Sequence, residues 1–272
     1  MGFIAPDPAQ IRQLLLRDAI WSVYALADLQ PAFAPYCRWE VMQGDKGAAL
    51  FLIFTALQPP IFFVIGETAA VAEGLATRAL PARVYVTVRA EHYTLLSDYY
   101  TWVEAPHPMV RMVYDVTAPV VTPTIGAAES MHSPGASVVR LYPADADAIR
   151  ALYRQGGPFT PDYFEPYQVD DGVFYGVKDE QGALSAVGGT HIIDWQAGVG
   201  AIGNMYTHPA HRGKGYATAV LEAIVGELLA RNVTTIVLNV DERNAVARGL
   251  YERYGFVSYC TFIEAEGIKK NR

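Results

Sequence analysis

One run of side chains has the composition of an anion site. In Asn204-Met-Tyr-Thr-His-Pro-Ala-His-Arg-Gly-Lys-Gly-Tyr-Ala-Thr218 a strand-like stretch ends at Thr207 and Pro209 turns the chain. Arg212-Gly-Lys-Gly-Tyr-Ala then enters a helix with Gly213 and Gly215 at its first turn. Unpaired backbone N–H groups at a helix start, the positive end of the helix dipole and the Arg212 and Lys214 charges suit a pyrophosphate. Spacing argues against two phosphate ligands. A Walker A loop needs Gly where His208 stands and Ser or Thr where Gly215 stands, and the dinucleotide fingerprint needs Gly or Ala where Thr218 stands.

A second cluster follows in LNVDERNAVARGLYERYGF, Leu238 to Phe256. Asn244 sits where it would cap a helix. Tyr251 lies on that helix with Ala247, Leu250 and Tyr254, so it is either a core aromatic or a hydroxyl available for proton transfer. His208 and His211 form an HxxH with no third ligand nearby, so no metal site is expected.

The elements that must position these residues fall into two halves. The first holds a helix at Ile11 to Asp28, strands at Ala48 to Ala56 and Ile61 to Gly66, a helix at Ala69 to Leu80, a strand at Val84 to Arg89, a short helix at Glu91 to Tyr100 and a strand at Val110 to Asp115. The stretch from Asp115 to Ser137 carries three prolines and no sustained period, which marks a linker. Beyond it a short strand at Val138 to Leu141 precedes a helix opened by Pro143, with Asp145 and Asp147 at its start. A hairpin turns at Asp179-Glu-Gln-Gly, and a strand runs from Gly200 to Thr207. Ala217, Val220, Leu221, Ile224, Val225, Leu228 and Leu229 form the clearest helical face in the chain. Thr235 to Val240 and Val257 to Glu264 complete the half as strands around the Asn244 to Tyr254 helix. The halves share one order, so Ile61 to Asp115 reads as a worn counterpart of Ala201 to Glu264. The expected domains are 1–115 and 138–272, joined by 116–137.

Composition bounds what such a chain can be. Its 272 residues are 51% hydrophobic and 18% charged, which suits a folded protein with a sizeable core and excludes a disordered or coiled-coil chain. A net charge of −7 argues against nucleic acid as a partner. The most membrane-like stretch, Ala48 to Ile65, is broken by Gln58, Pro59 and Pro60, so no membrane span is expected. Cys37 and Cys260 are far apart and read as buried thiols in a cytoplasmic protein.

The two clusters together resemble the GCN5-related N-acetyltransferase (GNAT) family, with R-x-x-G-x-A followed by N-x-x-A-x-x-L-Y-x-x-x-G-F. The phrase IGNMYTHPAHRGKGYATAV is similar to its FR47-like branch, and the resemblance covers roughly Val138 to Glu264. It implies a mixed α/β fold: a mostly antiparallel sheet, splayed at a cofactor cleft and flanked by helices, here in tandem with a degenerate first half. Arg212, Gly213, Lys214, Gly215, Tyr216, Ala217 and Thr218 match the loop and helix start that wrap the pyrophosphate of acetyl-CoA. Met205, Tyr206 and Thr207 match the strand end that pairs with the pantetheine arm, Asn244 the Asn near its far end, and Tyr251 the tyrosine that protonates the departing thiolate.

The implied activity is transfer of an acetyl group from acetyl-CoA to a small amine or amino acid by direct attack, without a metal, in a monomer or homodimer. A protein lysine or N-terminal acetyltransferase is a variant, and a non-catalytic acyl-CoA sensor is the alternative. Many relatives place a Glu on the strand before the loop as base, where this chain has Asn204. His191, Asp194, Glu165 or water ordered by Asn204 are the candidates, with His191 first, although a buried structural His is its other reading. In the first half Ile65-Gly-Glu-Thr-Ala-Ala lacks Arg-x-x-Gly, and Glu67 would repel phosphate, so no acyl-CoA is expected there.

Overall fold

The computed structural model describes residues 6–117, 137–161 and 163–271. Nearly all of the expected linker therefore lies outside the described residues. The chain forms two compact units, one of Met1–Arg111 with Tyr259–Arg272 and one of Met112–Ser258. Among the described residues no helix is long and apolar enough to cross a membrane.

The first unit opens with helices α1 (Pro8–Leu15) and α2 (Val23–Ala27) where one continuous helix was predicted. The break is local: the Asp18 carboxylate accepts the Trp21 N–H at 3.0 Å, a bond that competes with the helical ladder. Strands β1 (Cys37–Gly44), β2 (Gly47–Phe54) and β3 (Ile61–Gly66) are antiparallel neighbours. Helix α3 (Thr68–Thr77) then carries the chain to β4 (Arg83–Val88), which pairs parallel with β3. Phe51, Phe62, Val64, Val71, Leu75 and Val86 centre the core. Helix α4 (Ala90–Leu96) is shorter than predicted and is followed by β5 (Tyr100–Trp102) and β6 (His107–Tyr114).

The second unit repeats that order. Strand β7 (Ser137–Arg140) leads through a 3-10 turn into α5 (Ala146–Tyr153) and the short α6 (Tyr167–Asp171). Strands β8 (Phe174–Lys178), β9 (Leu184–Asp194) and β10 (Val199–Thr207) are antiparallel neighbours, with β7 beyond β8. Helix α7 (Tyr216–Ala230) crosses to β11 (Thr235–Asp241), parallel to β10, and helix α8 (Ala245–Arg253) follows. The predicted apolar face of α7 buries Val220, Leu221, Ile224, Val225 and Leu228. Ile149, Leu152 and Tyr153 of α5 pack with Phe174, Val187 and Tyr206 of the sheet.

The last strand, β12 (Phe256–Lys269), departs from the predicted boundaries. From Tyr259 onward it belongs to the first unit, where Ile263 to Ile268 pair antiparallel with Val88 to Arg83. The expected 138–272 segment therefore gives up its C-terminal strand, because the β4 edge supplies the hydrogen-bonding partner for it. Cys37 and Cys260 are free thiols but half-buried rather than buried.

Candidate active site

Strands β10 and β11 pair in register over Val199↔Thr235 to Ile202↔Leu238 and no further, although both strands continue. The edge of β10 that follows, Gly203 to Thr207, is thus released from β11 while its other edge still pairs with β9 at Gly203↔Gly189, Tyr206↔Val187 and Thr207↔Ala186. That parting is the splay expected at Met205, Tyr206 and Thr207, and it leaves main-chain groups facing a gap that an extended ligand can fill as an added strand.

The register with β9 shifts between Gly203 and Tyr206, the mark of a bulge. Asn204 lies inside it with φ of 56°, in the left-handed region that Asn tolerates better than most residues. Its carbonyl accepts the Tyr153 hydroxyl at 2.8 Å. Its side chain is 4% exposed, and neither Oδ1 nor Nδ2 has a hydrogen-bond partner among the described residues. A buried amide without partners costs about 1–3 kcal/mol, so this position stores a binding capacity that the fold itself does not use. The sequence signal was a Gly-Asn pair inside a strand pattern, which points to a bulge.

Consecutive side chains then diverge. The Met205 sulfur occupies the space over Gly188 beside Val220 and Ile224 of α7. Tyr206 turns the opposite way, its ring edge-on to Tyr153 and its hydroxyl donating to the Gly156 carbonyl at 2.7 Å. Of the three predicted residues at the strand end, Tyr206 therefore commits its side chain to the core and offers only main chain.

Beyond Thr207 a 3-10 turn, Pro209–His211, leads to the glycine loop. Gly213 and Gly215 have φ of 79° and 78°, conformations a side chain adopts only under strain. The first α7 bond runs from Ala219 N–H to Gly215 O, so the Ala217 and Thr218 N–H groups precede the helical ladder and point out of its start. Arg212 and Lys214 pair with no carboxylate among the described residues. Arg212 Nε donates to the Thr207 carbonyl at 3.3 Å, and Lys214 Nζ lies 3.3 Å from His211 Nδ1. Partial burial, then the charges of Lys214 and His208, push the His211 pKa below its usual value. Tyr216 is buried against His211, ring to ring at 6.3 Å, so its side chain braces the loop. His208 Nδ1 accepts the Ala210 N–H at 3.1 Å, which makes it a turn cap. No group of three His, Cys, Asp or Glu that could hold a metal occurs among the described residues.

Asn244 is the N-cap of α8, its Oδ1 accepting the Ala247 N–H at 3.2 Å, and its amide nitrogen remains available to donate. Asn244→Ala should lower unfolding stability by about 1 kcal/mol, read from a denaturant melt, whatever it does to ligand binding. Tyr251 on α8 is 7% exposed and packs edge-on to Phe256 at 6.0 Å. Its hydroxyl bonds to none of the described residues. Burial pushes its pKa up to about 12, so it holds its proton at neutral pH.

The base candidates separate by position. The His191 imidazole lies directly on Gly203, its Nε2 within 2.2 Å of where a side-chain carbon on that glycine would be, one residue from Asn204. Asp194 caps the far hairpin turn, accepting the Gln196 and Ala197 N–H groups at 3.0 and 2.9 Å. Glu165 is half-exposed and lies 3.6 Å from Arg150.

Known proteins agree with this geometry. Residues 141–256 match the model of the acetyltransferase (GNAT) family. A [ribosomal protein bS18]-alanine N-acetyltransferase of Haemophilus ducreyi is 38% identical over 53 residues, which is 20% of this chain and 37% of that protein; the chain thus spans well under two thirds of this relative's length. A tandem GNAT protein from the clavulanic acid biosynthesis pathway superposes with a TM-score of 0.61 at 13% identity, covering 100% of this chain and 99% of its own. A GCN5-related N-acetyltransferase from Sphaerobacter thermophilus gives 0.58 at 16% identity over 99% and 97%. The chain thus carries a domain that matches the acetyltransferase (GNAT) family at residues 141–256.

Proposed function

We propose that the second unit transfers an acetyl group from acetyl-CoA to a small primary amine or amino acid. The observation that carries this reading is the end of β10–β11 pairing at Ile202↔Leu238, ahead of a glycine loop whose two cations pair with no carboxylate among the described residues. Backbone N–H groups of Gly213 to Thr218, with Arg212 and Lys214, hold the pyrophosphate. The freed edge of Gly203 to Thr207 pairs with the pantetheine arm.

The amine loses a proton toward His191, directly or through water held by the Asn204 amide, and its nitrogen attacks the thioester carbonyl. A carbon–nitrogen bond forms as the carbon–sulfur bond breaks. N–H groups of the β10 edge steady the oxyanion, and Tyr251 gives its proton to the thiolate. No covalent bond to the protein is required. The Haemophilus ducreyi match favours a second acceptor class, the terminal α-amine of a protein.

Thermal shift of the full chain tests the cofactor. Acetyl-CoA at a hundredfold excess over its dissociation constant should stabilise the fold by about 2.7 kcal/mol, with no shift from NAD or ATP. Equal shifts from all three nucleotides would remove the assignment.

A further inference from the structure

The bulge that shapes the β10 edge is held from outside the sheet. Left-handed backbone is open to Asn chiefly because its side chain can hydrogen-bond locally, yet the Asn204 side chain has no partner among the described residues. What holds the Asn204 peptide is its carbonyl, which accepts the hydroxyl of Tyr153, the last residue of α5, at 2.8 Å.

A second bond runs the other way. The Tyr206 hydroxyl donates at 2.7 Å to the carbonyl of Gly156, just past the end of α5, where φ is 66°. The two rings meet edge-on at 5.7 Å, and Phe164 closes on Tyr153 at 5.8 Å. One phenol from the helix and one from the strand thus grip residues 204 and 206, on either side of Met205. Tyr153 is buried, and burial pushes its pKa well above the usual value, so it keeps its proton and remains a donor. With that one hydrogen committed to Asn204, Tyr153 is not itself an acid or base for the reaction.

Planarity carries the hold one atom further. The Asn204–Met205 peptide is trans, so its C=O and N–H point to opposite sides. By fixing the Asn204 carbonyl on the α5 side, Tyr153 fixes the direction of the Met205 N–H, on the stretch of β10 that has parted from β11.

We propose that Tyr153 is a positioning residue for acetyl transfer: its bond to the Asn204 carbonyl aims the Met205 N–H at the thioester oxygen of acetyl-CoA, where negative charge gathers as the amine attacks. The inference rests on the transferase reading for its ligand. A donor to an oxyanion works by being aimed before the reaction begins, and a bulge released from α5 lets the peptide turn.

Infrared spectra of acetyl-CoA, labelled with carbon-13 at its carbonyl and bound to the full chain, test the aim without requiring turnover. A hydrogen bond to the thioester oxygen lowers the carbonyl stretching frequency. Wild type should show that downshift, and Tyr153→Phe, which keeps the ring and its edge-on contacts, should lose about half of it or more. The same change should lower kcat with a primary amine about tenfold, short of the 10²–10³ for removing an oxyanion donor outright, with acetyl-CoA affinity within about threefold. Tyr100→Phe deletes a buried phenol–carbonyl bond of the same kind in the first unit, to Pro81 at 3.0 Å, and should leave both readouts at wild type. An equal downshift in wild type and Tyr153→Phe, or none in wild type, would overturn the positioning role even in a chain that acetylates amines. A downshift lost in Tyr153→Phe, in a chain that acetylates no amine, would uphold the aimed N–H and remove the transferase reading. Acetyl-CoA that does not bind would remove both.

Discussion

Tyr251→Phe should lower acetyl-transfer turnover by about 10²–10⁴-fold, the range for a lost general acid, while acetyl-CoA binds within twofold of wild type. The separation is expected because the hydroxyl bonds to none of the described residues, so its loss strands no buried partner, and the ring keeps its edge-on contact with Phe256. Steady-state kinetics beside equilibrium binding checks both halves. With the hydroxyl's pKa raised to about 12, Tyr251 stays protonated through neutral and mildly alkaline pH. A fall in wild-type rate between pH 9 and 10, lost in the Phe variant, would contradict that environment. A wild-type chain that binds acetyl-CoA and acetylates no amine would instead favour a sensor that kept the cofactor loop.

Gly215→Asp should abolish the thermal shift produced by acetyl-CoA, and Gly215→Ala should weaken binding by about tenfold. Both side chains must adopt a φ near 78°, which costs roughly 1–2 kcal/mol. Only Asp adds a negative charge where Arg212 and Lys214 gather positive charge for phosphate. Asp is also a favoured residue at a helix start, so the unliganded fold should lose little. The contrast between the variants divides strain from electrostatics. Equal effects from both would mean that the loop's shape, rather than its charge, governs binding.

The glycine loop, the α7 face and the Asn244 cap were legible because each is local: charge, glycine and helical period fall within a few residues of one another. The tandem order was legible for the same reason, since each half repeats strand, helix and strand at similar spacing. Strand β1 was missed because Arg38, Glu40 and Gln43 interrupt its apolar positions, and α6 because five residues span too little for a period. The left-handed Asn204 and its unpartnered amide arise from a shift in register between β9 and β10, a property of two strands together that neither displays alone. The pairing of Ile263 with Val88 joins residues 175 apart in the chain, beyond any local pattern. Arg78 gives a comparable case, a guanidinium buried between Phe51 and Phe62 and held by Glu40 at 3.2 Å, unmarked in sequence.

The placement of Tyr259 to Lys269 against β4 bears on the order in which the molecule is made. Nascent chains ordinarily fold from the N-terminus as each domain clears the ribosome. Here the first unit must wait: until residues 263–268 emerge, Val84, Val86 and Val88 lie on a strand whose outer edge has no mate. An open apolar edge is a template for pairing with another chain. The second unit, whose residues end at Ser258, can therefore fold while its predecessor is unfinished, and residues 263–268, made some 175 residues after β4, close the sheet that β4 began.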